Sequence, residues 1–155
     1  MLLSDEAYRK IEKELAKFPP TKKRSAAIAA LTIAQDEKGW LSPEVMQEIA
    51  DYLGVPAVAI EEVATFYSMF NTRPVGKYKI SVCCNLPCEM TGSDVTAQYL
   101  KEKLNIGFGE TTPDGLYTLV ESECMGAWPV VLVNNKQMYM RMTKDKIDKL
   151  LEELK

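Results

Sequence analysis

A strand-like segment runs directly into a cysteine-containing loop in the middle of the chain, which reads Lys77-Tyr78-Lys79-Ile80-Ser81-Val82-Cys83-Cys84-Asn85-Leu86-Pro87-Cys88. Polar and apolar residues alternate from Lys77 to Val82, which predicts a β-strand with one solvated face. Cys83 and Cys88 follow with four residues between them, so their thiols can converge on one metal centre. Thiolates hold the irons of iron–sulfur clusters. The segment therefore predicts a strand that leads into a metal-binding loop.

The residues after this loop predict a small mixed domain. In chain order the pattern indicates a helix, two strands, the second arm of a hairpin and a last helix, at residues 93–104, 116–121, 130–133, 137–142 and from 143 onward. In the hairpin arm, Met138, Met140 and Met142 are expected to point outward. The order strand, helix, strand, strand, helix fits an α+β or thioredoxin-like sheet with helices packed against it.

The first half of the chain predicts helices and little else. Tyr8, Ile11, Leu15 and Phe18 recur at helical spacing, and Pro19-Pro20 ends that helix. Three more helices are expected at residues 24–38, from Ser42-Pro43 to Leu53, and from Pro56 along a stripe of Ile60, Val63, Tyr67 and Phe70. Short connections imply a four-helix bundle. A turn-rich segment follows it, so domains are predicted at residues 1–73 and 74–155.

Composition excludes several functional classes. The 155 residues include 19 Lys+Arg, 22 Asp+Glu and no His, with a net charge of -3. Nucleic-acid binding needs a concentrated positive surface, which this balance does not favour. The absence of His excludes His-dependent catalytic triads and metal sites built on imidazole. With an acidic N-terminal segment and no apolar run of membrane-spanning length, the chain is expected to be cytoplasmic, where thiols stay reduced.

All four cysteines lie in the second half of the chain. Cys124 follows a predicted strand in Glu123-Cys124-Met125-Gly126-Ala127. If that strand neighbours the one ending before Cys83, both cysteine loops meet at one edge of the sheet. Structural zinc sites and thioredoxin-type dithiols usually have C-x2-C pairs, which this chain lacks. The plain alternative is that the cysteines are small buried core residues.

Several segments resemble the small [2Fe–2S] subunit of respiratory complex I, the thioredoxin-like ferredoxin of its NADH dehydrogenase module. In the second half they are Val82–Cys88, Gly109–Leu116 and Glu123–Ala127. In the helical half, Gly39–Glu44 and Glu62–Phe70 are similar to signatures of that family. Related subunits occur in NAD-linked hydrogenases and formate dehydrogenases.

The resemblance implies a helical bundle followed by a thioredoxin-like [2Fe–2S] domain that exchanges single electrons with a flavin on a partner subunit. NADH and FMN would be bound only by that partner, since this chain has no Gly-rich phosphate loop. No stand-alone enzymatic activity is expected. Other subunits of the complex I peripheral arm are further implied partners. They would hold the chain at the inner face of the bacterial cell membrane without inserting it.

The family's ligand pattern is incomplete in this sequence. The family binds its cluster through C-x4-C and C-x3-C, which implies Cys83, Cys88 and Cys124 as ligands here. The fourth position falls on Trp128, in a loop shorter than that of the family.

Three outcomes for the fourth position are open from the sequence. Cys84 is one candidate, although a residue adjacent to Cys83 on an extended chain points to the opposite face. An oxygen ligand from Ser122 or Glu123 is the second. The third is an impaired or absent cluster in a structural subunit that supports the flavin subunit. A thiol-based redox protein using the adjacent Cys83 and Cys84 is a more distant functional alternative.

Overall fold

The computed structural model describes residues 1–127 and 130–154. The chain divides into two compact units, one spanning Met1–Pro74 and the other beginning at Val75. The first unit contains helices, and the second contains a four-stranded sheet with helices, which confirms a mixed α+β fold. In the part of the chain so described, no helix is long and apolar enough to cross a membrane.

Four α-helices and one 3₁₀ helix form the first unit. They are α1 (Asp5–Leu15), the 3₁₀ helix (Pro20–Ala26), α2 (Ala27–Lys38), α3 (Pro43–Leu53) and α4 (Ala57–Phe66). Helix α3 shows why the predicted boundaries hold, because Ser42 accepts a hydrogen bond from the amide of Val45 and Pro43 occupies the first turn. Gly54 then ends α3 in the left-handed conformation, with φ of 68°.

Two predicted helical stripes are too long. Helix α1 ends at Leu15, so Phe18 lies beyond it and is exposed. Helix α4 ends at Phe66, because Tyr67 adopts an extended conformation with φ of -93° and ψ of 120°. Phe70 is nevertheless buried, since a turn in which its amide bonds to the carbonyl of Tyr67 returns it to the core. The helix predicted from residue 24 begins as α2 at Ala27, after the 3₁₀ helix.

The core of the first unit receives apolar side chains from all four α-helices. Its largest fully buried members are Ile11, Leu31, Leu41, Ile49, Leu53 and Ile60. Helix α2 adds small alanines to this core, which lets the neighbouring helices approach closely. Burial of such side chains is the main stabilising term for this unit.

A carboxylate network attaches the N-terminus to this core. Ser4 caps α1 by accepting from the amide of Ala7, and its hydroxyl donates to Glu37 Oε2 at 2.6 Å. Glu37 also accepts from the backbone amide of Ser4 and pairs with Lys38 at 2.9 Å. These donors, the Ser4 hydroxyl foremost, lower the pKa of Glu37 to about 2.

The second unit is built on one mixed sheet with strand order β2-β1-β3-β4. Its elements are β1 (Tyr78–Cys83), α5 (Leu86–Glu89), α6 (Ser93–Leu104), β2 (Tyr117–Ser122), β3 (Val130–Val133), β4 (Gln137–Met140) and α7 (Lys144–Glu153). Strand β1 pairs with β2 in parallel and with β3 antiparallel, and β3 pairs antiparallel with β4. The parallel pair is joined through α6, as a parallel crossover requires.

Helices α6 and α7 share one hydrophobic core with one face of this sheet. On the sheet, Ile80, Val82 and Leu119 are fully buried in it. Leu100 of α6 and Ile147 of α7 belong to the same core and are also fully buried. This sheet face is therefore the helix-covered side of the second unit.

Two details of the sheet differ from the sequence prediction. Strand β1 has no solvated face, because every residue from Lys79 to Cys83 is buried. The predicted outward row of methionines holds only for Met138 and Met140, whereas Met142 is buried. Arg141 has a left-handed φ of 53°, which breaks the alternation of the strand and turns Met142 inward.

Acid should weaken the first unit partly through Glu37. Because its folded-state pKa of about 2 lies below the ordinary 4.5, the stabilisation from ionised Glu37 is complete above pH 4.5 and is lost as the pH falls through about 2. We expect Glu37→Gln to unfold with a weaker pH dependence in that window, measured as urea midpoints by circular dichroism. Glu61→Gln, an exposed change in the same unit, is the control. Equal slopes for Glu37→Gln and wild type would contradict this role.

Truncation of Leu100 should destabilise the second unit. Leu100→Ala removes a fully buried side chain between α6 and the sheet, at an expected cost of about 2–5 kcal/mol. Val95→Ala, on the exposed side of the same helix, should change stability by less than about 0.5 kcal/mol. Chemical denaturation followed by circular dichroism measures both, and similar midpoints for the two variants would refute the packing of α6 described above.

Candidate metal centre

Two thiols meet at the carboxyl end of the central strand. Cys83 is the last residue of β1, and Cys88 lies in the single-turn helix α5. Their sulfurs are 2.9 Å apart, and neither residue is exposed. The structure therefore brings Cys83 and Cys88 together, as the spacing of the sequence predicts.

Helix α5 reverses the chain after β1 and so places Cys88 beside Cys83. Pro87 occupies its first turn, and the amides of Cys88 and Glu89 both bond to the carbonyl of Asn85, at 2.8 and 3.0 Å. The chain thus reverses directly after the strand. The sequence prediction treated this segment as a loop, although an Asn closely followed by Pro is a helix-start signal that could have revealed the turn.

Burial disfavours the ionised form of Cys88. Desolvation raises the pKa of the Cys88 thiol, and so do its hydrogen bond to Cys83 and the nearby charges of Cys83 and Cys124. A bound metal ion reverses this preference, because its charge stabilises the thiolates. Two buried sulfurs 2.9 Å apart are suited to ligating a metal.

Cys124 lies at the border of this pair and is exposed. It belongs to the segment after β2 that packs over the pair, where Met125 and Ala127 contact the cluster of Cys83, Cys88 and Val130. The Cys88 sulfur lies 3.6 Å from the carbonyl oxygen of Ala127. Across residues 1–127 and 130–154, no three His, Cys, Asp or Glu side chains group closely enough to hold a metal ion. Of the three predicted ligands, Cys83 and Cys88 are in contact, and Cys124 lies nearby.

Cys84 does not join the pair. Its side chain packs against the core that contains Ile80 and Val82, on the sheet face opposite to Cys83. Its thiol donates to the carbonyl of Val82 at 3.7 Å, and desolvation raises its pKa. Because adjacent residues of a strand project to opposite faces, Cys83 and Cys84 form neither a shared metal site nor a dithiol.

The two oxygen candidates lie at the end of β2. Ser122 is paired with Cys83 in the parallel register of β1 and β2. Glu123 is exposed, and its carboxylate accepts from the side-chain amide of Asn85 at 3.2 Å. Trp128, where the family's fourth cysteine is expected, and Pro129 lie outside the described residues.

The cysteine sulfurs at this site are the type of ligand atom that iron–sulfur clusters use. Soft thiolate sulfur is the donor that iron–sulfur clusters take, and Cys83, Cys88 and Cys124 lie at or after the carboxyl ends of β1 and β2. A cluster bound by four cysteines needs one more thiol than this site provides. The residues present are therefore of the right chemical type for an iron–sulfur cluster but one short of a set of four cysteines.

Comparison with known proteins supports this interpretation. The model of the thioredoxin-like [2Fe–2S] ferredoxin family matches residues 11–155. NADH-quinone oxidoreductase subunit 2 of Thermus thermophilus is 38% identical over 148 residues, covering 94% of this chain and 82% of that protein. A subunit of the NADH-quinone oxidoreductase of Rickettsia conorii is 42% identical over 147 residues, covering 92% of this chain and 87% of that protein.

A solved structure shares the fold. A chain of an NAD+-reducing [NiFe]-hydrogenase in the air-oxidised state superimposes with a TM-score of 0.68 at 23% identity. The superposition covers 80% of this chain but only 22% of the hydrogenase chain, so it shows similarity of fold alone. The family match and the two relatives confirm the resemblance seen in the motifs, and this chain belongs to the thioredoxin-like [2Fe–2S] ferredoxin family.

Proposed function

We propose that this chain is the electron-transfer subunit of an NADH:quinone oxidoreductase and carries a [2Fe–2S] cluster on Cys83, Cys88 and Cys124. The observation that supports this most directly is the 2.9 Å approach of two buried sulfurs at the end of β1. Cys124 follows the neighbouring strand and is close enough for its charge to act on Cys88. When bound, such a cluster supplies one-electron transfer.

The protein's own contribution would be to shield and position the sulfurs. Cys83 and Cys88 are inaccessible, and Val130, Met125 and Ala127 pack around them. Gly126 has a left-handed φ of 76°, which lets the chain fold back over the pair. Burial and hydrogen bonding around cluster sulfurs set their reduction potential, so these contacts are the means by which the chain would tune it.

The surface beside the sulfur pair suits a protein partner. Leu86 is 67% exposed and Met90 is 81% exposed, and they lie on either side of Cys88 in the sequence. Large exposed apolar side chains commonly mark interaction sites, and Met adapts readily to a partner's shape. We assign this surface to the flavin- and NADH-binding subunit. In this proposal the first unit is a four-helix bundle, and other peripheral-arm subunits hold the chain at the inner membrane face.

A structural subunit without a cluster is the second candidate. It is favoured by the exposed position of Cys124 and by Trp128 at the family's fourth ligand position. In that case the Cys88 thiol would remain protonated, since desolvation by burial raises its pKa. The chain would then only support the flavin subunit.

Iron content separates these two candidates. We expect the full chain, purified anaerobically from cells with cluster-assembly machinery, to contain about two irons and two acid-labile sulfides and to give a rhombic EPR signal after dithionite reduction. Cys88→Ser should lose most of this iron because it removes half of the sulfur pair.

The matched control is Cys84→Ser, since Cys84 lies on the opposite sheet face and should be dispensable. Iron near zero in the wild-type chain, also when it is copurified with its flavin subunit, would establish the structural role instead. Equal iron loss in Cys84→Ser and Cys88→Ser would refute the ligand assignment.

A further inference from the structure

We propose that the side-chain oxygen of Ser122 is the fourth ligand of the cluster, an inference that rests on the proposed function. The site would then combine three thiolates with one oxygen donor. Such a donor set would explain how this chain holds a cluster with Trp128 at the position where its family has a cysteine.

Strand register places Ser122 beside the sulfur pair. Ser122 and Cys83 are direct partners in the parallel ladder of β1 and β2. Neighbouring strands are about 4.8 Å apart, and paired residues project to the same face of a sheet. Cys88 packs against Cys83 on this face. The Ser122 side chain therefore leaves the sheet on the same face as the Cys83 and Cys88 thiols, which contact each other at 2.9 Å.

The backbone also brings Ser122 and Cys124 to one place. The carbonyl of Ser122 accepts from the amide of Cys84 at 3.2 Å, which fixes Ser122 at the end of the ladder. One residue separates Ser122 from Cys124. Ser122 is half-buried, and within residues 1–127 and 130–154 its hydroxyl makes no hydrogen bond. The hydroxyl is thus available to a ligand at the end of the sheet where Cys83 and Cys88 meet.

The competing donors are less well placed. Cys84 packs into the core on the other face of the sheet. Glu123 follows Ser122, is exposed, and has its carboxylate bonded to the side chain of Asn85. Neither has the in-register position that Ser122 shares with Cys83.

Ligation by serine has a defined chemical consequence. The hydroxyl gives its proton to solvent as its oxygen binds iron, so binding strengthens as the pH rises. An anionic oxygen is a harder donor than a thiolate and favours the more highly charged ferric state. A site that includes Ser122 should therefore have a lower reduction potential than the same site with a fourth thiolate.

The test compares four variants of the full chain, each reconstituted anaerobically with iron and sulfide. Ser122→Ala should lower bound iron and sulfide by about tenfold or more, since even loss of an outer partner costs a metal site that much. Ser122→Cys should keep the iron, shift the EPR g-values, add sulfur-to-iron charge-transfer absorption and raise the reduction potential. Glu123→Gln and Cys84→Ser, the matched controls, should match the wild type in iron content and EPR.

Each result has a distinct meaning. Iron bound equally by wild type and Ser122→Ala, with the same EPR signal, would overturn the Ser122 assignment and leave the proposed function standing. Loss of the cluster in Glu123→Gln but not in Ser122→Ala would transfer the role to Glu123. Absence of iron from wild type and from Ser122→Cys alike would overturn the proposed function itself. If Ser122→Ala does not fold, as judged by circular dichroism, Ser122→Cys decides: unchanged g-values would refute ligation by residue 122.

Discussion

The parallel ladder between β1 and β2 is the constraint on which the functional end of the molecule depends. It pairs the two strands from Tyr78 with Tyr117 to Cys83 with Ser122. A shift of one residue would move every side chain of one strand to the opposite face. In the observed register, Ile80 and Val82 enter the core below the helices, so Cys83 must face the other way. The hydrophobic core thereby determines which of the two adjacent cysteines lies beside Cys88.

The chemical character of this end of the sheet comes from the two buried sulfurs of Cys83 and Cys88. Their burial is unfavourable for thiolates, and this is visible in the raised pKa of Cys88. A cation beside the sulfurs would offset the free-energy cost of ionising the buried Cys88 thiol. A cluster at this position would be shielded from water and held on a central strand, which are the conditions for a reproducible reduction potential. The exposed Leu86 and Met90 lie within two residues of Cys88 in the sequence and would give the proposed partner subunit an apolar surface to contact.

Local sequence signals predicted much of the fold. Ser42-Pro43 and Gly54 mark the ends of α3, and the apolar run Val130–Val133 is a strand as expected. Features that depend on tertiary context were not predictable in this way. The burial of both faces of β1 depends on what packs over the sheet, and the inward turn of Met142 follows from the left-handed Arg141.

The candidate site likewise has one feature that the sequence predicted and one that it did not. The spacing of Cys83 and Cys88 was enough to predict that they converge. The preference for Ser122 over Glu123 in the proposed site rests on the strand register, which the sequence alone does not give.

The most direct test of the central claim is the Mössbauer spectrum of the full chain loaded with ⁵⁷Fe. Two irons held by three thiolates and one serine oxygen should give two quadrupole doublets in the oxidised state, with the oxygen-ligated iron at the larger isomer shift. After one-electron reduction, the added electron should localise on one iron. A single doublet from isolated ferric ions, or two doublets with the same all-sulfur isomer shift, would contradict the site described here.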